Sequence, residues 1–573
     1  MGTISDKLIR IINTKEDIRQ ALISKGYDVP TSIPFKEYAK MILDLPCNAD
    51  SFPDIEGIVA RYSASGITNE QMAANPVWVD KTGNGRDLQL KNFAWKEGSG
   101  ISDIYPGALV FDGVDDYGTC NNFPILTKEK GYTVVVLRQW DQDFLNTTLT
   151  GGLLSTRNYS TGEGVAFEKI ESSNKGYWIL GAGGIIDFAK SPFTWQTSKQ
   201  YNNVGILKGD KNHGKPLCVG SGLSGGQQCG RFAIWELVFL DHDATEEELT
   251  KIKDYFVKTY PWLFPDQAWT VTGKTNEDED RATIANITGN GNDLVLSNFG
   301  FAKGSGYGLY NAAFSSKSNL QYWSKQKIQF SKSQIETNKV LPYLIMECKD
   351  ELSYNIKIKM TGFDSGVKLK WGFTDGYTYI EGDGIHVLNK KSTTIRHLHI
   401  EYSEDFDPDH VVTIEQIPEY EGYLITDGVD DIASSNTVVY EADFTFIGEW
   451  KFIQKDDTVA GINSVSHLYI QNRYNRGATV MINSTFENKK NITDYMTFKA
   501  ITSKGKGYDE NWNEVDLLYG DGNKGPSQVS IGGQGGSDFC HMIFKNMALY
   551  MNKVFTKDEC IKAYNYLQTL KSK

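Results

Sequence analysis

The chain has 573 residues, more than one hydrophobic core serves, and 30 Tyr, 28 Phe, 12 Trp and 55 Gly beside 15 Pro favour β-sheet joined by tight turns. A formal net charge of −13 with no dense Lys/Arg cluster argues against a surface that wraps nucleic acid. Seven cysteines, an odd number without a C-x-x-C pair, argue against a disulfide framework or a zinc ribbon and suit folding in a reducing cytosol.

Residues 1–46 read as a helical hook. Ile4, Leu8, Ile11 and Ile12 follow helical spacing, Thr14 with Asp17 resembles an N-cap, and Ile18, Ala21 and Leu22 continue one face until Gly26. A second short amphipathic helix is expected over 34–45, ended by Pro46. Apolar residues here are spaced among charges, so no signal peptide is expected, and no stretch of the chain reaches the length of a membrane span. The hook is too small to hold a core alone. Its stripe of Ile4, Leu8, Ile11, Ile18 and Leu22 is expected to dock on a partner protein or on a second copy, with packing on its own first domain as the alternative.

Beyond the hook, an internal repeat organises the chain. TGNGRDLQL at 82–90 recurs as TGNGNDLVL at 288–296, and FAWKEGSG at 93–100 as FGFAKGSG at 299–306, both at an offset of 206. FDGVDDY from Phe111 then matches TDGVDDI from Thr426 at an offset of 315, so the second copy carries about 109 extra residues between these motifs. Both copies end in a Gly-rich turn, an alternating apolar strand and a helix. Thr245 with Glu248 and Thr556 with Glu559 fit capping boxes at its start. The expected domains are 1–46, 50–264, 266–311 plus 420–573, and an inserted domain at 312–419. The insertion's runs SYNIKIKMTGF, GVKLKWGF, IRHLHIEY and HVVTIEQI alternate with period two, as half-buried antiparallel strands do.

The start W-x-D-x-T-G-N-G-x-D-L-x-L at 78–90 and the V-x-D-G-V-D-D entry at 110–116 resemble the concanavalin-like, laminin-G-type jelly roll. The second copy keeps the glycines but has Ile284 and Asn286 where the first has Trp78 and Asp80. The hook resembles the short helical N-termini of fibre and appendage proteins of tailed bacteriophages. The whole layout is similar to a virion fibre of a crAss-like phage of gut Bacteroidales, a head fibre in preference to a tail fibre. The expected fold class is therefore mainly β: two concanavalin-like sandwiches, the second interrupted by a small β-domain, with a helical N-terminal anchor. The resemblance implies a virion protein made in the host cytoplasm, joined to capsid or tail proteins through 1–46 and with host capsule polysaccharide as a second partner. With no heptads or β-helix repeats, a dimer is preferred to a trimer.

Laminin-G-type folds hold calcium in some members. Asp112, Asp115 and Asp116, with Asp427, Asp430 and Asp431, are the carboxylates that would hold Ca²⁺, joined by Asn84, Asp87, Asn290, Asn292 and Asp293. The competing reading is that N-G and D-G mark turns needing positive φ. Acidic runs at 277–280 and 405–409 and the pair His397 and His399 carry the same ambiguity. No catalytic residues are expected. The second copy offers Glu441 and Asp443, but Phe446 stands where a glycosidase of this shape needs its acid. Sugar binding is the live option, with Trp371, Tyr377 and Tyr379 in WGFTDGYTY as candidates, and Tyr177 and Trp178 in the first copy. A bacterial carbohydrate-binding protein and a phage tail fibre remain as alternatives.

Overall fold

The computed structural model describes residues 15, 16, 18, 19, 34, 52–124, 131–156, 166–169, 175–179, 184–187, 192–197, 217–223, 226–302, 304–315, 320–337, 343–348, 354–363, 366–373, 376–390, 395–453, 459–464, 468–473, 477–482, 490–492, 498–517, 525–533 and 539–571. The protein is mainly β. Its chain divides into two compact units, 1–56 with 245–259, and 57–244 with 260–573.

In the smaller unit, Lys15, Glu16, Ile18 and Arg19 are helical, Ile18 is half-buried, and Arg19 Nε meets Glu16 at 3.1 Å. Ile4, Leu8, Ile11 and Leu22 lie outside the described residues. The helix Glu246–Thr259 belongs to this unit and starts on the expected capping box. Glu248 N donates to Thr245 Oγ1 at 3.2 Å, and Thr245 N to the Glu248 carboxylate at 2.8 Å. Phe52 packs edge-on to its Tyr255 at 5.0 Å between centroids.

Among the described residues, the larger unit holds six sheets in three pairs, each pair closing on one core. In the first sandwich, one sheet runs Phe193–Thr197, Thr133–Trp140, Arg231–Leu240, Ala108–Asp112, Gly100–Ser102, with Ile58–Ser63 also on Arg231–Leu240. The facing sheet contains Val77–Trp78, Leu88–Lys91, Tyr117–Cys120, Leu217–Val219 and Gly151–Ser155. Leu109, Val134, Phe232 and Phe239 from the first meet Trp78, Leu88, Leu153 and Val219 from the second in one buried cluster. Burial of each such side chain contributes about 1.5–3 kcal/mol.

The second sandwich repeats this order. Gly306–Leu309, Glu419–Ile425, Met542–Met551 and Phe444–Phe452 stand where Gly100–Ser102, Ala108–Asp112, Arg231–Leu240 and Thr133–Trp140 stand in the first. Its terminal helix Lys557–Gln568 carries the same cap, Glu559 N to Thr556 Oγ1 at 3.3 Å and Thr556 N to Glu559 at 2.8 Å. Gly100 pairs with Val110 and Gly306 with Ile425, so the short turn 103–107 of the first copy is the place where the second admits its insertion. Leu309 pairs with Glu419, so Glu419 lies on a strand of the second sandwich rather than in the insertion. A long insertion is tolerated at a hairpin tip because closure costs only about 0.6 kcal/mol per doubling of loop length.

The two copies solve one packing problem differently. In the first, Tyr62 and Trp78 are both buried, with Tyr62 Oη donating to Arg86 O and Trp78 Nε1 to Ser63 O. In the second, Trp269 takes the place of Tyr62, donating to Asn292 O at 2.9 Å, and Ile284 takes the place of Trp78. The aromatic bulk missing at Ile284 is supplied by Trp269, on a strand of the other sheet. Electrostatics differ as well. Arg61 and Glu236 form a buried ion pair at 3.1 Å, and Tyr260 Oη donates to Glu236 at 2.8 Å. Ser63 pairs with Glu236 and Thr270 with Asn546, which identifies Ala268 and the fully buried Asn546 as the residues at the equivalent positions.

Among the described residues, the inserted domain is a sandwich of two five-stranded sheets. One runs Ala312–Phe314, Tyr343–Cys348, Ile395–Tyr402, Val367–Phe373, Gly376–Glu381. The other runs Tyr322–Trp323, Lys327–Ser331, Val411–Ile417, Tyr354–Thr361, Gly384–Lys390. Ile328, Phe330, Ile358, Leu369, Leu388, Val412 and neighbours fill its core. The alternation read in the sequence is the burial pattern of these strands.

Candidate functional site

The candidate site is the open face of the insertion's first sheet. Side chains alternate along Val367–Phe373, so Val367, Leu369 and Trp371 point into the core while Lys368 and Lys370 face outward. Trp371, expected to be an exposed sugar platform, is 3% exposed and donates Nε1 to Asn389 O at 3.0 Å. It is a core residue because it is in phase with Leu369. Tyr377 and Tyr379 lie on the neighbouring strand, the outermost of its sheet among the described residues, and are 45% and 51% exposed.

Register sets the pattern of this face. Lys370 sits between Tyr379 and His399, Gly372 opposite Tyr377, and Lys368 between Glu381 and Glu401. Lys370 Nζ lies 4.6 Å from the Tyr377 ring centroid and 5.5 Å from that of Tyr379, and His399 meets Tyr377 edge-on at 5.5 Å. Lys370 also reaches Glu401 at 3.5 Å, and Lys368 reaches Glu381 at 2.6 Å. Hydrogen bonding to Tyr379 holds the Lys370 ammonium above the usual lysine range. Two aromatic rings around a cation, rimmed by carboxylates, offer apolar faces for the C–H side of a sugar and polar groups for its hydroxyls. The side chain of His397 lies outside the described residues, as do those of Tyr177 and Trp178.

The two acidic triads do assemble. Ligand oxygens of Asp112, Asp115 and Asp116 lie within 4.8 Å of one another, and so do those of Asp427, Asp430 and Asp431. Some of their oxygens also serve the turn. Asp112 Oδ1 accepts from Val114 N at 2.7 Å and Asp115 N at 3.3 Å, while Asp116 accepts from Asp112 N at 3.0 Å and Ser99 Oγ at 3.1 Å. Asp427 accepts from Val429 N at 2.8 Å and Asp430 N at 3.3 Å, and Asp431 from Asp427 N at 2.8 Å. Asn92 and Asn298, both at φ 69°, close the turns by donating to Asp115 O and Asp430 O. A calcium cage needs six to eight oxygens, and each triad brings the carboxylates of three residues toward one. They fit a turn clamp built twice.

The other proposed ligands are turn groups too. Asp87 accepts from Asp80 N and Asp293 from Asn286 N, each at 2.8 Å, while Asn84 and Asn290 donate to Val59 O and Asp266 O. In the acidic runs, Asp280 pairs with Lys274 at 2.7 Å, Asp278 receives Thr275 N, and Asp409 receives Ser333 Oγ.

Burial raises the carboxyls of Asp116 to about 7 and Asp431 to about 6. Raised in the folded state, they favour folding most below the ordinary carboxylate range, and this contribution is lost as pH rises from about 4 through 7. Asp116→Asn is expected to flatten the fall of Tm over that window, by about 2–4 °C per kcal/mol of linkage in a domain of this size. Calorimetry between pH 4 and 8 checks this; an unchanged slope contradicts it.

Sequence reading missed a second aromatic cluster in the second sandwich. Trp512, at φ 62°, meets Tyr564 edge-on at 5.6 Å, and Lys499 lies over both rings at 5.4 and 4.9 Å. Its members come from a strand, a turn and the C-terminal helix, so no local motif announces it. For catalysis, Phe446 is fully buried and Asp443 pairs with Lys504 at 2.6 Å. The cysteines at 120, 218, 229, 540 and 560 are buried.

No protein-family model matches the chain, and no curated protein matches it significantly. Solved structures similar to parts of it include a Trypanosoma rangeli sialidase in complex with sialic acid, at 11% identity and TM-score 0.24 over 44% of this chain and 39% of that one. The ligand-binding domain of botulinum neurotoxin serotype D, in complex with N-acetylneuraminic acid, is 10% identical with a TM-score of 0.25 over 67% and 88%. The serotype G binding domain gives 10% and 0.24 over 67% and 89%. The chain thus spans about two fifths of the sialidase's length. Likeness this slight assigns no activity.

Proposed function

We propose that the protein is a non-catalytic structural fibre of a tailed phage particle, held to the capsid through residues 1–46, with outward sandwiches that bind host-surface glycans. The observation that carries the binding half is the exposed Tyr377–Lys370–Tyr379 face on an outermost strand of the insertion. A buried Phe446 stands where a glycosidase of this shape needs its acid, and Asp443 is ion-paired with Lys504, which favours binding over cleavage. The fibre half rests on the resemblance of the hook and on duplication of a sandwich that reads as a spacer. A dimeric fibre present in many copies turns weak glycan contacts into firm attachment. The same face supports a second reading, a bacterial carbohydrate-binding protein outside any particle.

Particle association separates the two. The full chain is expected in purified phage particles and to be dimeric by light scattering, and deletion of 1–46 is expected to abolish capture of capsid proteins. If the truncated chain associates as the full chain does, or neither associates, the fibre reading fails.

A further inference from the structure

We propose that the insertion's open face takes neutral glycans and turns away acidic ones, a preference that rests on its being a glycan site at all.

The charged groups of the face are interleaved by register. Glu381, Lys368 and Glu401 form one row across three neighbouring strands, and Tyr379, Lys370 and His399 form the next. Lys368 therefore stands between two carboxylates, and its Nζ reaches Glu381 at 2.6 Å. Hydrogen bonding to Glu381 holds that ammonium above the usual lysine range. Lys370 reaches Glu401 at 3.5 Å and sets its ammonium against the rings of Tyr377 and Tyr379. Each cation thus already faces a carboxylate of this chain, and both carboxylates are exposed.

A uronate brought to this face meets Glu381 and Glu401 before it gains a cation. Its carboxylate adds acceptors where acceptors already stand, and like charges brought together across an interface oppose binding. The chain's net charge of −13 adds a longer-range repulsion of polyanions, which salt screens beyond about 10 Å. A neutral sugar meets neither obstacle. Its hydroxyls donate to the exposed carboxylates, and its C–H side lies on the tyrosine rings. Tyr377 and Tyr379 stand two residues apart on one face of their strand, a spacing of about 7 Å, and Glu381 follows at the same spacing. A neutral chain lying along Gly376–Glu381 meets both rings and then the carboxylate.

The test uses the full chain on columns of immobilised hydroxyethylcellulose or galactomannan, both neutral, or of polygalacturonate. Retention is expected on a neutral column, at least tenfold stronger than on polygalacturonate, and nearly unchanged between about 0.05 and about 0.5 M NaCl. Glu381→Gln/Glu401→Gln keeps an oxygen acceptor at each exposed position and removes the negative charge. This variant should melt as the parent does and raise retention on polygalacturonate at least tenfold, an increase that salt reverses. Tyr377→Ala/Tyr379→Ala should abolish retention on the neutral column. If the parent holds polygalacturonate as firmly as the neutral polymers and the tyrosine variant does not, the face binds glycans and only the neutral class is wrong. If retention survives the loss of both tyrosines, the face is no glycan site and the preference falls with it. Retention of the parent on none of the columns, or indifference of polygalacturonate to Glu381→Gln/Glu401→Gln, also overturns the proposal.

Discussion

Arg61→Met is expected to destabilise the first sandwich by about 3–5 kcal/mol, the usual cost of stranding one charge of a buried pair. In a domain of this size that lowers Tm by roughly 10 °C. Glu236 is fully buried; burial pushes its carboxyl up, and Arg61, Ser63 and Tyr260 pull it back down. Without the guanidinium, Glu236 must bury a charge or take up a proton. The second copy supplies the control, because the same fold carries Ala268 and Asn546 there. Arg61→Ala/Glu236→Asn is therefore expected to lose less than half of what Arg61→Met loses. Thermal unfolding of the three variants checks this; a double variant as unstable as the single one would mean that the pair is irreplaceable in the first copy.

Tyr377→Ala/Tyr379→Ala is expected to reduce retention on host capsule polysaccharide at least tenfold while leaving Tm within about 1 °C. Both rings are about half exposed, so their removal takes little from the core. What they do supply is a pair of apolar faces held around Lys370. Loss of such a ring from a binding surface commonly costs 1 kcal/mol or more, and two together exceed a tenfold change. Trp371→Phe provides the contrast, since Trp371 is 3% exposed and bonded to Asn389 O. It should lower Tm and leave retention by the folded protein unchanged. Affinity electrophoresis in gels with and without the polysaccharide measures all three.

The duplication was legible because its turns need particular residues. Gly83, Gly85, Asn92 and Gly98 recur at Gly289, Gly291, Asn298 and Gly304, all at positive φ. The jump in offset located the insertion because a hairpin tip lengthens without disturbing the strands on either side. Trp371 was misread because its nearness to a D-G turn was weighed above its phase with Val367 and Leu369, which period-two counting would have caught. Glu419 was misplaced by one residue at a boundary where the strand resumes at once. The Arg61–Glu236 pair joins residues 175 apart, and no local pattern encodes it. The acidic triads had two readings in sequence, and the backbone amides that Asp112 and Asp427 accept from appear only once the turn is folded.

The most direct measurement is polysaccharide retention by a chain from which the insertion has been cut. Gly308 would be joined to Tyr423 through the five residues of 103–107, the turn that closes the equivalent hairpin in the first copy. The predicted result is a folded protein with cooperative unfolding and no retention on host capsule polysaccharide. Retention equal to that of the full chain would contradict the account, because the glycan-binding face would then lie outside the insertion.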